Sequence, residues 1–422
     1  VTDARPLLAN YHPNAVLAWR ADGPVTQGQF LAEALALAQH LPPNADAINL
    51  CEDRYRFMLA FCAVCLRGRA NLLPPSKAPA VIEALLGEDV TRYVLDDAMA
   101  TAQATAIPAQ VPQIESAQIA AIVSTSGSTG APQRHTKSWG VLCDTARLAR
   151  DVFLPDDNHI NIIATVPPQH MYGLETSVFF ALAANCAVHH GKPFFPADVR
   201  DALAAIPAPR LLITTPVHLR ALIAAAIPFP QLTKIISATA PLTRELATLA
   251  EQHFNAPVHE IYGCTEAGSM ASRRTATQDI WQLHPGMSIR ADREGAQIRG
   301  KHLPDIVAVN DDVEIADPAH FHLLGRHADL LKVAGKRASL SDLTQKLLSI
   351  SGVEDAALLV PDGAERPAAL VVAPQGSEGA ILAELAQHVD AVFLPRPLRL
   401  VERLPRNELG KLSRDSLLEL LS

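Results

Sequence analysis

Long apolar runs, paired cysteines and the commonest nucleotide-binding fingerprints are what this 422-residue chain lacks. No apolar stretch reaches 18 residues, so no membrane span is expected. The opening VTDARPLLANYHP lacks the basic-then-apolar build of a secretory signal, and a cytoplasmic location is the expectation. A basic excess is also missing. The 36 Lys and Arg stand against 44 Asp and Glu, a net charge of −8 that disfavours a nucleic-acid surface. Of six cysteines only Cys62 and Cys65 are spaced C-x-x-C. They lie in FMLAFCAVCL, an apolar run that reads as a buried helix, with no second pair and no histidine at zinc spacing. Buried thiols are therefore expected there. Neither long repeats nor low-complexity segments occur.

What is present is ordinary for a soluble globular protein: 49% hydrophobic and 19% charged residues. At about 150 residues per domain, the length suggests two or three domains. TQGQFLAEALALAQHL has a broad apolar helical face, and SWGVLCDTARLARDVF spaces Trp139, Leu142, Ala146, Ala149 and Phe153 at helical steps. YVLDD, Ala120 to Ser124, HINIIATVPP, RLLITTP, KIISATAPL and PVHEIYGCTEAG read as strands ending in turns. From about Gln282 the pattern changes, and SIRADREGAQIRG reads as an antiparallel hairpin. Strand-like DAALLV, AALVV and LRLVERL then alternate with helical SLSDLTQKLLSI and GAILAELAQHVDAVF. The expected fold class is α/β. A large N-terminal domain, residues 1–325, holds βα-type sheets with helices and a short antiparallel region, and a small α+β domain follows at 326–422.

The chemistry starts in AAIVSTSGSTGAPQRHTKSWG, where an apolar strand runs into a loop of Ser, Thr and Gly. Such a loop bends sharply, brings backbone N–H groups close to a ligand and adds hydroxyl donors, as a polyphosphate requires. It is not a Walker loop, because Pro132 stands where the second glycine belongs. Nor is it a Rossmann G-x-G-x-x-G or a G-x-S-x-G elbow.

STSGSTGAPQ is followed in order by PPQHMYG, SATAPL, IYGCTEAGS, LLGRHADLLKVAGKR and LPRNELGKLSR. In this order and spacing the motifs, over about 120–414, resemble the adenylate-forming superfamily of acyl-CoA synthetases, peptide-synthetase adenylation domains and luciferases. The resemblance implies ATP and Mg²⁺ as cofactors. A carboxylate attacks the α-phosphorus, pyrophosphate leaves, and a thiol then takes the acyl group, with positioning and charge stabilisation as the main catalytic devices.

Carried onto this chain, Thr125, Ser126, Gly127, Ser128, Thr129 and Gly130 would cradle the β- and γ-phosphates. Tyr262 would pack on adenine, Thr265 would reach the α-phosphate, and Glu266 would hold Mg²⁺. Asp311, or the adjacent Asp312, would accept the ribose hydroxyls, and Arg326 would contact ribose or phosphate. Lys411, in the small domain, would stabilise charge at the α-phosphate. His170 would line the acyl tunnel, and Gly173, Ser237, Ala238, Gly263 and Gly268 would complete the acid pocket. The resemblance makes the small domain mobile, with Ala328 at its pivot and Gly335 beside the thiol tunnel.

Two departures stand out. Gln133 replaces the lysine that usually ends the loop, and Lys137 or Arg134 would supply the missing charge from a longer loop. Ala328 replaces a polar pivot residue. Short relatives with this loop ending look like stand-alone ligases that load aryl or acyl acids onto carrier proteins, some in pigment or polyketide pathways. The implied acceptor is a phosphopantetheine thiol, of an acyl carrier protein or of free coenzyme A. Lys332, Lys336, Arg337, Arg403, Arg406 and Arg414 offer a basic patch for an acidic carrier. The competing class is a non-catalytic nucleotide-binding or interaction protein on the same fold.

Overall fold

The computed structural model describes residues 3–89, 91–104, 106–125, 133–154, 159–292, 295–309, 311–326, 330–333, 336–361, 363–364, 366–407, 410 and 412–421. At 125, 292, 325, 326, 330, 332, 333, 336, 337, 341 and 342 the backbone alone is described. Of the expected site residues, Ser126, Gly127, Ser128, Thr129, Gly130, Ala328, Gly335 and Lys411 lie outside that set.

Five described strands form a first sheet in the order Tyr93–Leu95, Ala47–Asn49, Asn71–Leu73, Ile119–Thr125, Gln133–Ser138. The first four are parallel; the last closes an antiparallel hairpin in which Thr125 pairs with Gln133. Eleven described strands form a second, mixed sheet. Its parallel centre includes Ile160–Ala164, Arg210–Thr214, Lys234–Ser237 and Val258–Cys264, which are buried runs as both-face burial requires. An antiparallel wing continues through Gly268–Arg273 to the hairpin Asp311–Asp317 with His320–Arg326. The expected α/β class holds.

Helix Trp139–Phe153 starts on Ser138, whose side chain caps it by accepting from Val141 N at 3.4 Å. Its apolar face buries Trp139 edge-on against Phe179. Helix Arg54–Leu66 is apolar nearly all round and sits in the core, with Cys62 and Cys65 fully buried as free thiols. Burial raises both thiols well above the ordinary cysteine value. Among the described residues no helix is long and apolar enough to cross a membrane.

Beyond the wing, Asp355–Leu359, Ala368–Val372 and Leu398–Leu400 make a three-stranded sheet. Helices Leu340–Leu348 and Glu378–His388 pack on one face and Arg414–Leu421 on the other. The apolar clusters here, from Leu331 onward, share no buried residue with those of the preceding sheets. Arg220 reaches across, donating to the Glu354 carbonyl at 3.3 Å.

Candidate active site

Two of the expected nucleotide residues, Tyr262 and Asp311, come from separate elements and meet. The Tyr262 hydroxyl donates to Asp311 Oδ2 at 2.7 Å, although 49 residues separate them. Asp311 in turn lies opposite Arg326 in the hairpin register. Neighbouring strand residues point to opposite faces, so this bond marks Asp311 as the one turned toward the tyrosine. Tyr262 is buried among the rings of Trp281 and Phe321, at 5.6 Å each.

Thr265 and Glu266 sit on the turn joining Val258–Cys264 to Gly268–Arg273. The Glu266 carboxylate is half-exposed, with His135 Nε2 at 3.6 Å from Oε1. Among the described residues no three His, Cys, Asp or Glu side chains gather into a metal cage. One accessible carboxylate is the donor set Mg²⁺ takes when substrate phosphates and water complete its octahedron, so Glu266 fits that ion.

Lys137 is a correction to the sequence reading. It lies in strand Gln133–Ser138, not on an extended loop, and is 4% exposed. Its ammonium donates to the backbone carbonyl of Glu266. Burial pushes its pKa below the ordinary lysine value, against the pull of Cys264, Glu266 and Glu175. Arg134, the other cation offered in place of Gln133, pairs with Glu88 at 2.5 Å.

His170 opens the short helix Met171–Gly173, which continues as a π-helical turn at Leu174–Phe179. Such turns recur at functional sites. Gln169 donates to the Cys51 carbonyl, and buried Arg54 donates to Val166 O at 2.7 Å, so the stretch leading to His170 is pinned from outside. A Cβ on Gly173 would run into the carbonyl of Pro167. Gly268 has φ +73°, and a Cβ there would meet Thr145 and Glu175 at 2.8 and 2.9 Å. The space these two glycines leave is thus filled by the protein itself.

Ser237 is fully buried, and its hydroxyl has no hydrogen-bond partner among the described residues. Ala238 beside it is buried, while Gly263 is exposed at the edge of the turn. Sequence reasoning missed two residues here. One is Glu175, an isolated carboxylate in the apolar run MYGLETSVFF, which was the available signal. The other is Thr239, at φ +80°. Among the described non-glycine residues with positive φ it is the one with a β-branched side chain, and no residue-type signal announces it. Such strain costs about 1–3 kcal/mol. Thr239→Gly should therefore raise the unfolding free energy by about 1 kcal/mol, read as a higher urea midpoint at unchanged slope.

Around Lys411 the framing residues are placed. Arg406 forms a two-pronged pair with Asp355, at 2.7 and 2.6 Å, and donates to Gly410 O at 2.6 Å. Arg406 is therefore spent on holding this loop and drops out of the expected basic patch. Gly410 backs onto Val217 at the start of helix Pro216–Ala224.

The sequence profile of the family described as AMP-binding enzyme matches residues 43–314. Over 300 residues the chain is 29% identical to a 4-coumarate–CoA ligase of Halorhodospira halophila, covering 68% of this chain and 74% of that protein. Over 308 residues it is 24% identical to a 3,4-dihydroxybenzoate–[aryl-carrier protein] ligase of Bacillus anthracis, covering 68% and 71%. The fold superposes on the o-succinylbenzoate coenzyme A synthetase of Bacillus subtilis, solved with ATP and magnesium ion. That match has a TM-score of 0.81 at 18% identity, over 98% of this chain and 99% of that one.

Proposed function

Since the chain belongs to the AMP-binding enzyme family and is an adenylate-forming acid–thiol ligase, we propose that it activates an aryl acid with ATP and passes it to a phosphopantetheine thiol. The carboxylate oxygen bonds to the α-phosphorus and pyrophosphate leaves; the thiol sulfur then bonds to the acyl carbon and AMP leaves. The observation that supports this reading is the hydrogen bond between Tyr262 and Asp311, with the turn bearing Thr265 and Glu266 following directly on the Tyr262 strand. In that arrangement Tyr262 packs on adenine, Asp311 accepts the ribose hydroxyls, and residues 125–130 cradle the outer phosphates. Glu266 would hold Mg²⁺, which would supply charge neutralisation on the phosphates.

An aryl acid is supported by the 4-coumarate and dihydroxybenzoate named for the two relatives. Its pocket would lie by His170, Ser237 and Ala238. A boundary near residue 326 is supported by the separate apolar clusters beyond it, and rotation there would exchange Lys411 for the thiol. For the acceptor, the Bacillus relative favours a carrier protein, in a pigment or polyketide setting, and the Halorhodospira relative favours coenzyme A. We favour the carrier.

Two measurements test this. Labelled pyrophosphate should exchange into ATP only when a suitable acid is present, with hydroxybenzoates and cinnamates outperforming fatty acids. No exchange across the panel would instead support a non-catalytic nucleotide-binding protein. Preformed adenylate should then be offered to holo carrier protein and to coenzyme A at matched thiol concentration. Turnover with coenzyme A alone would overturn the carrier assignment.

A further inference from the structure

Beneath the turn that carries Thr265 and Glu266, the protein buries one cation and one anion that the ligase reading leaves without a role. Lys137 is 4% exposed and Glu175 is 2% exposed. They come from different parts of the fold, strand Gln133–Ser138 and the π-helical turn Leu174–Phe179. Each grips one side of the same turn. The Lys137 ammonium donates to the carbonyl of Glu266, and Glu175 Oε2 accepts from the backbone N–H of Ser269 at 3.0 Å. Between those anchor points lie only Ala267 and Gly268.

A neutral amide would accept from Ser269 as well as a carboxylate does. What the carboxylate adds is charge, and its second oxygen, Oε1, has no hydrogen-bond partner among the described residues. An uncompensated buried charge is costly, so a nearby opposite charge matters more here than at the surface. The cation whose charge acts on it is Lys137, anchored on the other side of the same turn. Burial pushes the Glu175 carboxyl up to about 7, and the Lys137 charge pulls it back; burial depresses Lys137, and Glu175 is among the groups that resist it. The charges of Cys264 and Glu266 also act on Lys137, and that of Glu175 acts on Tyr172.

We propose that Lys137 and Glu175 are a coupled pair of positioning residues, a buried cation and a buried anion that clamp both sides of the turn and so set where Thr265 and Glu266 meet nucleotide and metal. What the turn delivers rests on the ligase reading; the clamp does not.

A double-mutant cycle separates the two. Lys137→Met and Glu175→Gln remove one charge each at nearly constant volume. Urea unfolding without ligand is followed at pH 8, above the value to which burial pushes the Glu175 carboxyl. Each single change should lower the folding equilibrium constant, and the double variant should lose about tenfold less than the product of the singles. Multiplicative losses would overturn the coupling. Should Lys137→Met not fold, Lys137→Ala takes its place in the cycle. In the exchange assay each single variant should raise KM for MgATP about tenfold while KM for the acid moves less than about twofold. Lys137→Arg, which keeps the cation, should stay within about threefold of wild type. Coupling without a change in MgATP dependence would overturn the clamp's role in positioning. Wild-type protein without any exchange would remove the ligase reading, and the unfolding cycle would still decide whether the pair is coupled.

Discussion

Replacing Lys411 with alanine should slow acyl-adenylate formation about a hundredfold or more, because a charge contact made in the transition state is worth roughly 3 kcal/mol. The fold should survive. The loop on either side of Lys411 is held by groups that do not involve its side chain. Arg406 ties to Asp355 and to the carbonyl of Gly410, Arg406 and Leu412 pair as a β-bridge, and Gly410 rests on Val217. Single-turnover adenylate formation measures the loss, and an unchanged melting temperature shows that it is not unfolding. Thioester formation from preformed adenylate should be nearly untouched if, as proposed, the lysine acts in the first half-reaction only. Adenylation at close to the wild-type rate would remove Lys411 from its role.

The largest stability loss is expected from Arg54→Met, about 4 kcal/mol. Arg54 is fully buried and is surrounded by acceptors: Ser177 Oγ at 2.5 Å, Ala164 O at 3.0 Å and Val166 O at 2.7 Å. Burial lowers its guanidinium to about 9, so it remains charged at neutral pH. Methionine fills much of the volume but donates nothing, and each carbonyl left without a donor in a dry interior costs about 1–3 kcal/mol. The strand end at Ala164, the turn at Val166 and the π-helical turn at Ser177 would lose their common tie. Urea unfolding measures this directly, and a loss below about 1 kcal/mol would mean that other donors replace the guanidinium.

Much of this architecture was legible in the sequence because it is written in local periodicity. The helix at Trp139–Phe153, the buried strands ending before Pro and Thr, the hairpin Met287–Asp292 with Gly295–Gly300 and the helices of the last 95 or so residues follow from apolar spacing. The order of the motifs pointed to the same chemistry. What stayed hidden depends on partners far apart in the chain. Nothing near Asp311 distinguishes it from Asp312; Tyr262 does. Lys137 reads as a loop cation until strand pairing buries it, and its partner Glu266 is 129 residues away. Arg406 reads as a surface charge until Asp355 claims it across 51 residues. Local pattern reports which face of an element is apolar, not which distant group will meet a polar one.

The state of the cysteines has a practical consequence for watching the expected rotation. Cys51, Cys62, Cys65, Cys143 and Cys186 are buried, and Cys264 is half-buried with its thiol pushed up to about 12. At neutral pH so little thiolate is present that maleimide dyes should ignore the native chain. Fluorophores could therefore be attached at introduced cysteines without first stripping the native ones. Exposed Glu245 on the large sheets' side and Glu402 beyond the last strand are suitable places. Energy transfer between the two labels would then report the distance between these two positions in real time, with acid, ATP or thiol added in turn.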